Sequence, residues 1–248
     1  MCKVLIIIPC YNEEKNILKV VNAIREYCIL NCSSLKEREI FIDYIVINDC
    51  STDDTLKVIR NNDIIHINLP INLGIGGGIQ SGYIYAKENE YDIAIQHDGD
   101  GQHDATYFLN LISIIDAQDA DIVIGSRFID KSGFQSTWMR RLGISFLSKL
   151  IYICSRVKVY DVTSGYRAVN KRYINYFANN YAQDYPEPES LVESALNGAK
   201  IVEVPVIMYE RKEGESSINT LKSLYYMIKV SLAILLHRIA VSKKRGVV

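Results

Sequence analysis

The segment Asp98-Gly99-Asp100-Gly101-Gln102-His103 carries the densest chemistry in the 248-residue chain. Two carboxylates one residue apart, on a turn freed by glycines, can face a single point. Hard oxygen ligands of this kind suit Mg²⁺ or Mn²⁺, which keep several waters and bind substrate phosphates through one or two carboxylates. Gln102 adds an amide oxygen, so Asp98, Asp100 and Gln102 are the candidate metal ligands. His97 and His103 flank the turn, but zinc chemistry needs a further closed ligand that the sequence does not offer. A calcium loop is disfavoured, because the longer ligand spacing and the closing Glu are missing. Standing alone, Asp-x-Asp is more often an acidic surface turn. Its position after a buried strand reverses that judgement.

The elements around it are legible from patterning. Residues 4–8, Val-Leu-Ile-Ile-Ile, form a β-branched run expected of a strand covered on both faces. Asn12-Glu13-Glu14 predicts the start of a helix reaching about residue 28, with Ile17, Val20, Val21 and Ile24 at helical spacing. A polar stretch with Ser33 and Ser34 leads to a second buried strand at 42–47, and Ser51-Thr52-Asp53-Asp54 starts a short helix. A third strand at 64–69 precedes a glycine-rich turn and a helix over about 77–89. The fourth strand, 92–96, ends in the acidic turn; a helix over about 105–115 and a fifth strand at 121–124 follow. This alternation predicts an α/β fold with a mostly parallel, doubly wound sheet and helices on both faces. Ligands of such sheets bind at the carboxyl ends of the strands. Tyr11 to Glu13, Asp49, Asp98, Asp100 and Ser126-Arg127 all fall there.

Beyond Trp138 an amphipathic helix (about 140–154) leads to Asp161-Val162-Thr163-Ser164-Gly165-Tyr166-Arg167. A Tyr/Asn-rich helix comes next, then Tyr185-Pro186-Glu187-Pro188-Glu189 and a helix to about 196. A strand near 201–206 and an exposed loop at 211–217 complete this part.

Composition sets the outer limits. Nearly half the residues are apolar, enough for a sizeable core in one large domain and too many for disorder. Lys and Arg number 28 against 29 Asp and Glu, so no global basic field exists to hold nucleic acid. The six cysteines form no Cys-x-x-Cys pair, as expected of a reduced, cytoplasmic protein. No segment has the pattern of a signal peptide or the roughly 18 uninterrupted apolar residues of a membrane span.

Pro9-Cys10-Tyr11-Asn12-Glu13-Glu14, Asn48-Asp49-Cys50-Ser51-Thr52-Asp53, Asn72-Leu73-Gly74-Ile75-Gly76 and Asp98-Gly99-Asp100 occur in one order and spacing. In both they resemble family 2 glycosyltransferases, most of all the dolichol-phosphate mannosyltransferase and polyprenyl-phosphate glycosyltransferase branch. Gly125-Ser126-Arg127, Ser164-Gly165-Tyr166-Arg167, Pro186-Glu187-Pro188-Glu189 and residues 211–217 extend the likeness to about residue 218. Each motif alone is weak; the ordered set is strong.

The resemblance implies the nucleotide-diphospho-sugar transferase (GT-A, Rossmann-like) fold. It also implies inverting transfer from a UDP- or GDP-sugar to a lipid phosphate, such as a polyprenyl phosphate, or to a growing cell-surface glycan. By the same likeness Pro9, Tyr11 and Glu13 line the nucleoside pocket and Asp49 meets base or ribose. Gly74 lets the backbone approach the donor, and Asp98 contacts it. Asp100 and Gln102 hold the cation on the diphosphate. Arg127 meets the phosphates or the donor sugar, and Arg211 and Ser217 close over the diphosphate from a loop. Two carboxylates, Asp161 and Glu189, are candidate bases. Relatives outside this branch carry an acidic pair that here corresponds to Glu187 and Glu189; the departure from a Glu-Asp pair leaves the base open. An ionised lipid phosphate needs no strong base, and Asp161 then orients instead. Arg140 and Arg141 are candidate partners for such a phosphate.

The likeness divides the chain into a catalytic domain, 1–217, and a C-terminal amphipathic helix with a basic tail, 218–248. In the helix Leu221, Leu224, Tyr225, Ile228, Leu232, Leu235 and Ile239 form an apolar stripe, with Lys243-Lys244-Arg245 behind it. An interfacial helix on the inner face of the cell membrane has this pattern, and so does a core helix or the seam of a homodimer. The competing functions are a nucleotidyltransferase and a catalytically silent sugar-nucleotide binder. The first wants a glycine-rich basic loop after the first strand, where this chain has Tyr-Asn-Glu-Glu; the second sits badly with an intact acidic turn and Arg127. Nicotinamide and P-loop chemistry are excluded: Ile79 stands where the third glycine is needed, and no Gly-Lys-Ser/Thr follows the glycines.

Overall fold

The computed structural model describes residues 1–135, 137–210 and 220–245, with side chains in the last helix described over 227–239. The β-branched run forms β1, Cys2–Cys10, in which Val4 to Ile8 have no exposed surface. Val4, Ile6 and Ile8 enter one core cluster and Leu5 and Ile7 the other. A strand's two-residue period therefore feeds two cores, one on each face of the sheet.

Six more strands complete that sheet: β2 (Ile40–Asn48), β3 (His66–Asn68), β4 (Ile93–Gln96), β5 (Ile122–Ser126), β6 (Arg167–Asn170) and β7 (Ile201–Pro205). Their order is β3-β2-β1-β4-β6-β5-β7. Every pairing is parallel except the two made by β6, which runs antiparallel to β4 and β5. The mostly parallel α/β sheet expected from the sequence is the fold found; β6 was not expected. Its four residues, Arg-Ala-Val-Asn, hold only two apolar side chains, so its strand character comes from its neighbours rather than from its own pattern.

The helices α1 (Ile17–Leu30) and α5 (Phe108–Gln118) contribute to the cluster around Val4 and Ile6, and α2 (Cys32–Glu37) lies against α1 and β2. On the other face, α4 (Gly74–Glu88), α6 (Trp138–Ser155), α7 (Lys171–Asn179) and α8 (Pro186–Leu196) pack with Leu5 and Ile7. The long α9, Thr220–Arg245, lies against α6 and α8 and buries Val230 and Ile234 in that cluster. Among the described residues no helix is long and apolar enough to cross a membrane.

The first helix starts later than its sequence predicts. Residues 11–16 form a loop laced to the segment before α3 (Thr55–Asn61). Asn12 N–H donates to Ser51 Oγ (3.0 Å), Glu13 N–H to Thr55 Oγ1 (2.8 Å) and Glu14 N–H to Asp53 Oδ2 (3.2 Å). The Asn12 side chain accepts from Thr52 N–H at 2.8 Å, and Asn12 itself adopts a φ of 57°. These side-chain partners compete with a helical turn for the same backbone donors. The result joins the loops after β1 and β2 into one rim.

Candidate active site

The parallel strands β1, β2, β4 and β5 all end on one edge, at Cys10, Asn48, Gln96 and Ser126. Tyr11, Asp49, Asp98 and Arg127 follow those ends directly. Because β6 runs the other way, its first residue, Arg167, pairs with Gln96 and Ile124. The segment leading into it, from Asp161, therefore arrives on the same edge. That antiparallel strand is what brings the two halves of the motif set together.

The acidic turn is fixed by its own backbone. His97 N–H still bonds Ile7 O at 2.9 Å and Gly99 N–H bonds Pro9 O at 3.2 Å. Between them Asp98 N–H donates to His103 Nδ1 at 3.0 Å, and Asp100 Oδ1 accepts from Gln102 N–H at 3.0 Å. Gln102 is clasped by Tyr209: its side-chain Nε2 donates to Tyr209 O (3.0 Å) and its carbonyl accepts from Tyr209 N–H (2.9 Å). Asp98 keeps a third of its side-chain surface exposed. Gly165 abuts it: a Cβ built there would stand 2.8 Å from Asp98 Oδ2.

Among the described residues no group of three His, Cys, Asp or Glu side chains gathers into a closed metal cage. The donors on this turn are oxygens, from Asp98, Asp100 and Gln102. His103 is committed to the Asp98 backbone, and His97 is buried behind it. Such a set fits Mg²⁺ or Mn²⁺ shared with a substrate diphosphate and does not fit structural zinc. Burial lowers both imidazoles, His97 to about 3 and His103 to about 4. Both are therefore neutral at physiological pH.

Arg127 and Asp161 form a bidentate pair, Nε to Oδ2 and Nη2 to Oδ1 at 2.7 Å each. Arg127 N–H also donates to Asp161 Oδ2 at 3.1 Å, and Asp161 has no exposed surface. Both carboxylate oxygens are thus occupied, which equips Asp161 to orient Arg127 rather than to accept a proton. Beneath it Glu203 accepts from the N–H groups of Tyr160 (2.7 Å) and Asp161 (2.8 Å). Burial pushes the Glu203 carboxyl up, and those two N–H bonds pull it partly back.

The acidic pair on α8 divides. Burial raises the Glu187 carboxyl; Arg167 and Gln96 oppose that shift, while the nearby Asp98 adds to it. Burial also raises Glu189, but its ionisable neighbours are His237 and Lys229 on α9 and Asp184. Two residues apart on a helix lie about 200° apart around the axis, so they cannot share one crevice. The structure brings Glu187, not Glu189, to the acidic turn.

Of the nucleoside-side residues, Pro9 ends the core of β1 and Tyr11 stands half exposed on the rim. Glu13 is buried and accepts from Asn16 Nδ2 at 2.8 Å. Asp49 is buried, with Oδ1 accepting from Leu73 N–H at 2.7 Å at the start of α4. Gly74 follows at φ +77°, a conformation that suits glycine. Arg211 and Ser217 lie outside the described residues. Sequence reading assigned no role to Gln96, Arg167, Glu203 or Tyr209. Arg167 is the most informative of them: buried, it donates to Ser164 O, Val162 O, Glu187 O and Ser190 Oγ. Its place in Ser164-Gly165-Tyr166-Arg167 was the available signal.

Among known proteins, polyprenol monophosphomannose synthase of Mycolicibacterium smegmatis is 27% identical to this chain, over 92% of the chain and 86% of that protein. Undecaprenyl-phosphate mannosyltransferase of Micrococcus luteus is also 27% identical, over 88% of each. Glucosyl-3-phosphoglycerate synthase from Mycobacterium tuberculosis, solved with Mn²⁺, UDP and phosphoglyceric acid, shares the fold. Its TM-score is 0.65 at 17% identity, over 96% of this chain and 78% of that one. Residues 5–177, which include Asp49, the acidic turn and the Arg127–Asp161 pair, match the glycosyl transferase family 2, and the chain therefore belongs to that family and is a glycosyltransferase.

Proposed function

We propose that this enzyme transfers a hexose, with inversion, from a UDP- or GDP-sugar to a polyprenyl phosphate at a membrane surface. The observation that carries the proposal is the shared edge: Asp98 and Asp100 stand at the end of β4, flanked by Asp49 after β2 and Arg127 after β5. The relatives named for polyprenol and undecaprenyl phosphate support the acceptor class.

Asp98, Asp100 and Gln102 would hold Mg²⁺ or Mn²⁺, as the Mn²⁺ and UDP of the structural neighbour suggest. The cation supplies electrostatic stabilisation for charge on the departing diphosphate. Pro9, Tyr11, Glu13 and Asp49 hold the nucleoside, and Gly74 opens the backbone beside it. Arg127, kept in place by Asp161, faces the phosphates or the donor sugar. A phosphate acceptor is already anionic near neutral pH, since its second ionisation lies near 6 for related monoesters. It needs no strong base. Glu187 is then the carboxylate that borders the reacting groups, and Glu189 belongs to the contact with α9. Arg211 and Ser217 keep the closing role that the sequence likeness gives them.

Residues 1–217 carry this chemistry in the proposed division, and 218–248 carry membrane contact together with α6 of the catalytic domain, on which they pack. Support comes from α6 and α9 together. Neither helix contains an Asp or Glu; α6 has three Lys and Arg residues and α9 has six. Trp138, Leu142 and Phe146 on α6 and Ile228, Leu232 and Ile239 on α9 are exposed. An apolar face with a purely cationic flank fits an anionic lipid surface. Co-sedimentation with phosphatidylglycerol vesicles that is lost in Trp138→Ala/Phe146→Ala supports this; a dimer in solution that ignores vesicles opposes it.

A thermal-shift screen of nucleotide sugars with Mn²⁺ tests the donor reading. Stabilisation by one donor in wild type, absent in Asp100→Ala, is the expected outcome. Equal stabilisation in both proteins removes the metal assignment.

A further inference from the structure

Between the two N–H groups that tie the acidic turn to β1 lies a backbone donor with no strand partner. The ladder between β4 and β6 stops at Gln96, and His97 and Gly99 turn back to β1. Asp98 N–H, between them, is taken by a side chain: His103 Nδ1 at 3.0 Å. An imidazole nitrogen that accepts is unprotonated, so the ring's proton resides on Nε2. That nitrogen lies 3.7 Å from Asp98 Oδ2. That separation is longer than a hydrogen bond, so the ring holds the main chain of Asp98 directly and packs beside its carboxylate.

The ring itself has little freedom. His103 is buried and stacked on Tyr166, with centroids 4.7 Å apart and planes 10° from parallel. His97 closes its edge at 5.4 Å in a T-shaped contact. Tyr166 is in turn anchored by its hydroxyl, which donates to Asp104 O at 2.7 Å. The chain of contacts runs from Asp104 through Tyr166 and His103 to Asp98, and returns to its start within six residues of sequence.

We propose that His103 is a positioning residue for Asp98, fixing the direction in which its carboxylate leaves the turn. This inference rests on the proposed metal site. Partners that orient a ligating carboxylate typically change metal affinity by 10- to 100-fold when removed. A residue that merely fills space would change affinity only as far as it changes folding.

Two substitutions separate these roles. His103→Phe keeps a ring for Tyr166 to stack on and removes both nitrogens. His103→Asn loses the ring but places Oδ1 where Nδ1 stands, so the acceptor for Asp98 N–H returns. The readout is Mn²⁺ affinity, measured by the electron paramagnetic resonance signal of free Mn²⁺ with UDP or GDP present, alongside the melting temperature. We expect His103→Phe to weaken Mn²⁺ binding about tenfold or more with a melting temperature near wild type, and His103→Asn to recover most of the affinity. Wild-type affinity in His103→Phe, or losses in both variants that simply follow their melting temperatures, overturns the inference and leaves the metal site standing. Wild-type protein that takes up no Mn²⁺ with either nucleotide overturns both.

Discussion

Arg127 meets Asp161 through two parallel bonds of 2.7 Å, and that aspartate is wholly shielded from solvent. The carboxylate that sequence reading offered as a base is therefore the fixed half of a buried ion pair. In the proposed reading its task is geometric. It gives the Arg127 guanidinium one orientation at the end of β5, beside the edge where the diphosphate is proposed to sit.

Breaking such a pair from one side leaves a buried charge uncompensated. We expect Asp161→Ala to lower stability by about 3–5 kcal/mol and to reduce sugar transfer as Arg127 loses its anchor. Chemical denaturation alongside a transfer assay checks both. A variant as stable as wild type would show that Arg127 finds another partner.

Gly165 makes a sharper test, because space rather than charge is at stake. A methyl group there would stand 2.8 Å from Asp98 Oδ2 and 2.9 Å from Gln96 Nε2. Gly165→Ala must displace one of them, and we expect kcat/KM to fall by about tenfold or more, equivalent to roughly 1.4 kcal/mol, with only a small change in melting temperature. Unchanged kcat/KM would place Asp98 outside the reacting region.

His97 predicts a pH effect on stability. Its ring nitrogens have no hydrogen-bond partner among the described residues, and burial holds it neutral down to about 3. In the unfolded chain the same group takes up a proton near 6.5. The unfolded state thus binds more protons between these values, and stability is lost as the pH falls through that window. We expect His97→Leu to match or exceed wild-type stability at pH 7. Its advantage should grow by at most roughly 1.4 kcal/mol for each unit below 6.5. Parallel stability curves from pH 7 to 4 would contradict this.

The two glutamates of α8 should separate in kinetics. Glu187 borders Asp98 and Arg167, whereas Glu189 faces Lys229 and His237. Glu187→Gln is expected to lower kcat/KM by about tenfold or more, while Glu189→Gln stays within about threefold. The reverse ranking would put the acceptor on the α9 side of the helix.

Much of this site was legible beforehand because it depends on strand ends. Continuous β-branched runs announced β1 and β2, and polar residues just past such runs must lie on one edge of a parallel sheet. Asp49, Asp98, Asp100 and Arg127 were found that way. What stayed hidden depends on partners distant in sequence. Four residues too mixed to signal a strand became β6 because β4 and β5 flank them on both sides. The loop at 11–16 looked helical until Ser51, Thr52, Asp53 and Thr55 supplied competing hydrogen bonds. Glu187 and Glu189 cannot be told apart without knowing which face of α8 turns to Arg167. The Arg127–Asp161 pair spans 34 positions, and no local pattern reveals it.

The central claim is sugar transfer driven by a cation on the Asp98–Asp100 turn. Transfer of a radiolabelled hexose from UDP- or GDP-hexose to polyprenyl phosphate should be followed for wild type with Mn²⁺, wild type with excess chelator, and Asp100→Ala with Mn²⁺. We expect turnover in the first and a loss of about a hundredfold or more in the other two, with Asp100→Ala folded as wild type. Full turnover in excess chelator, or in Asp100→Ala, would contradict the account.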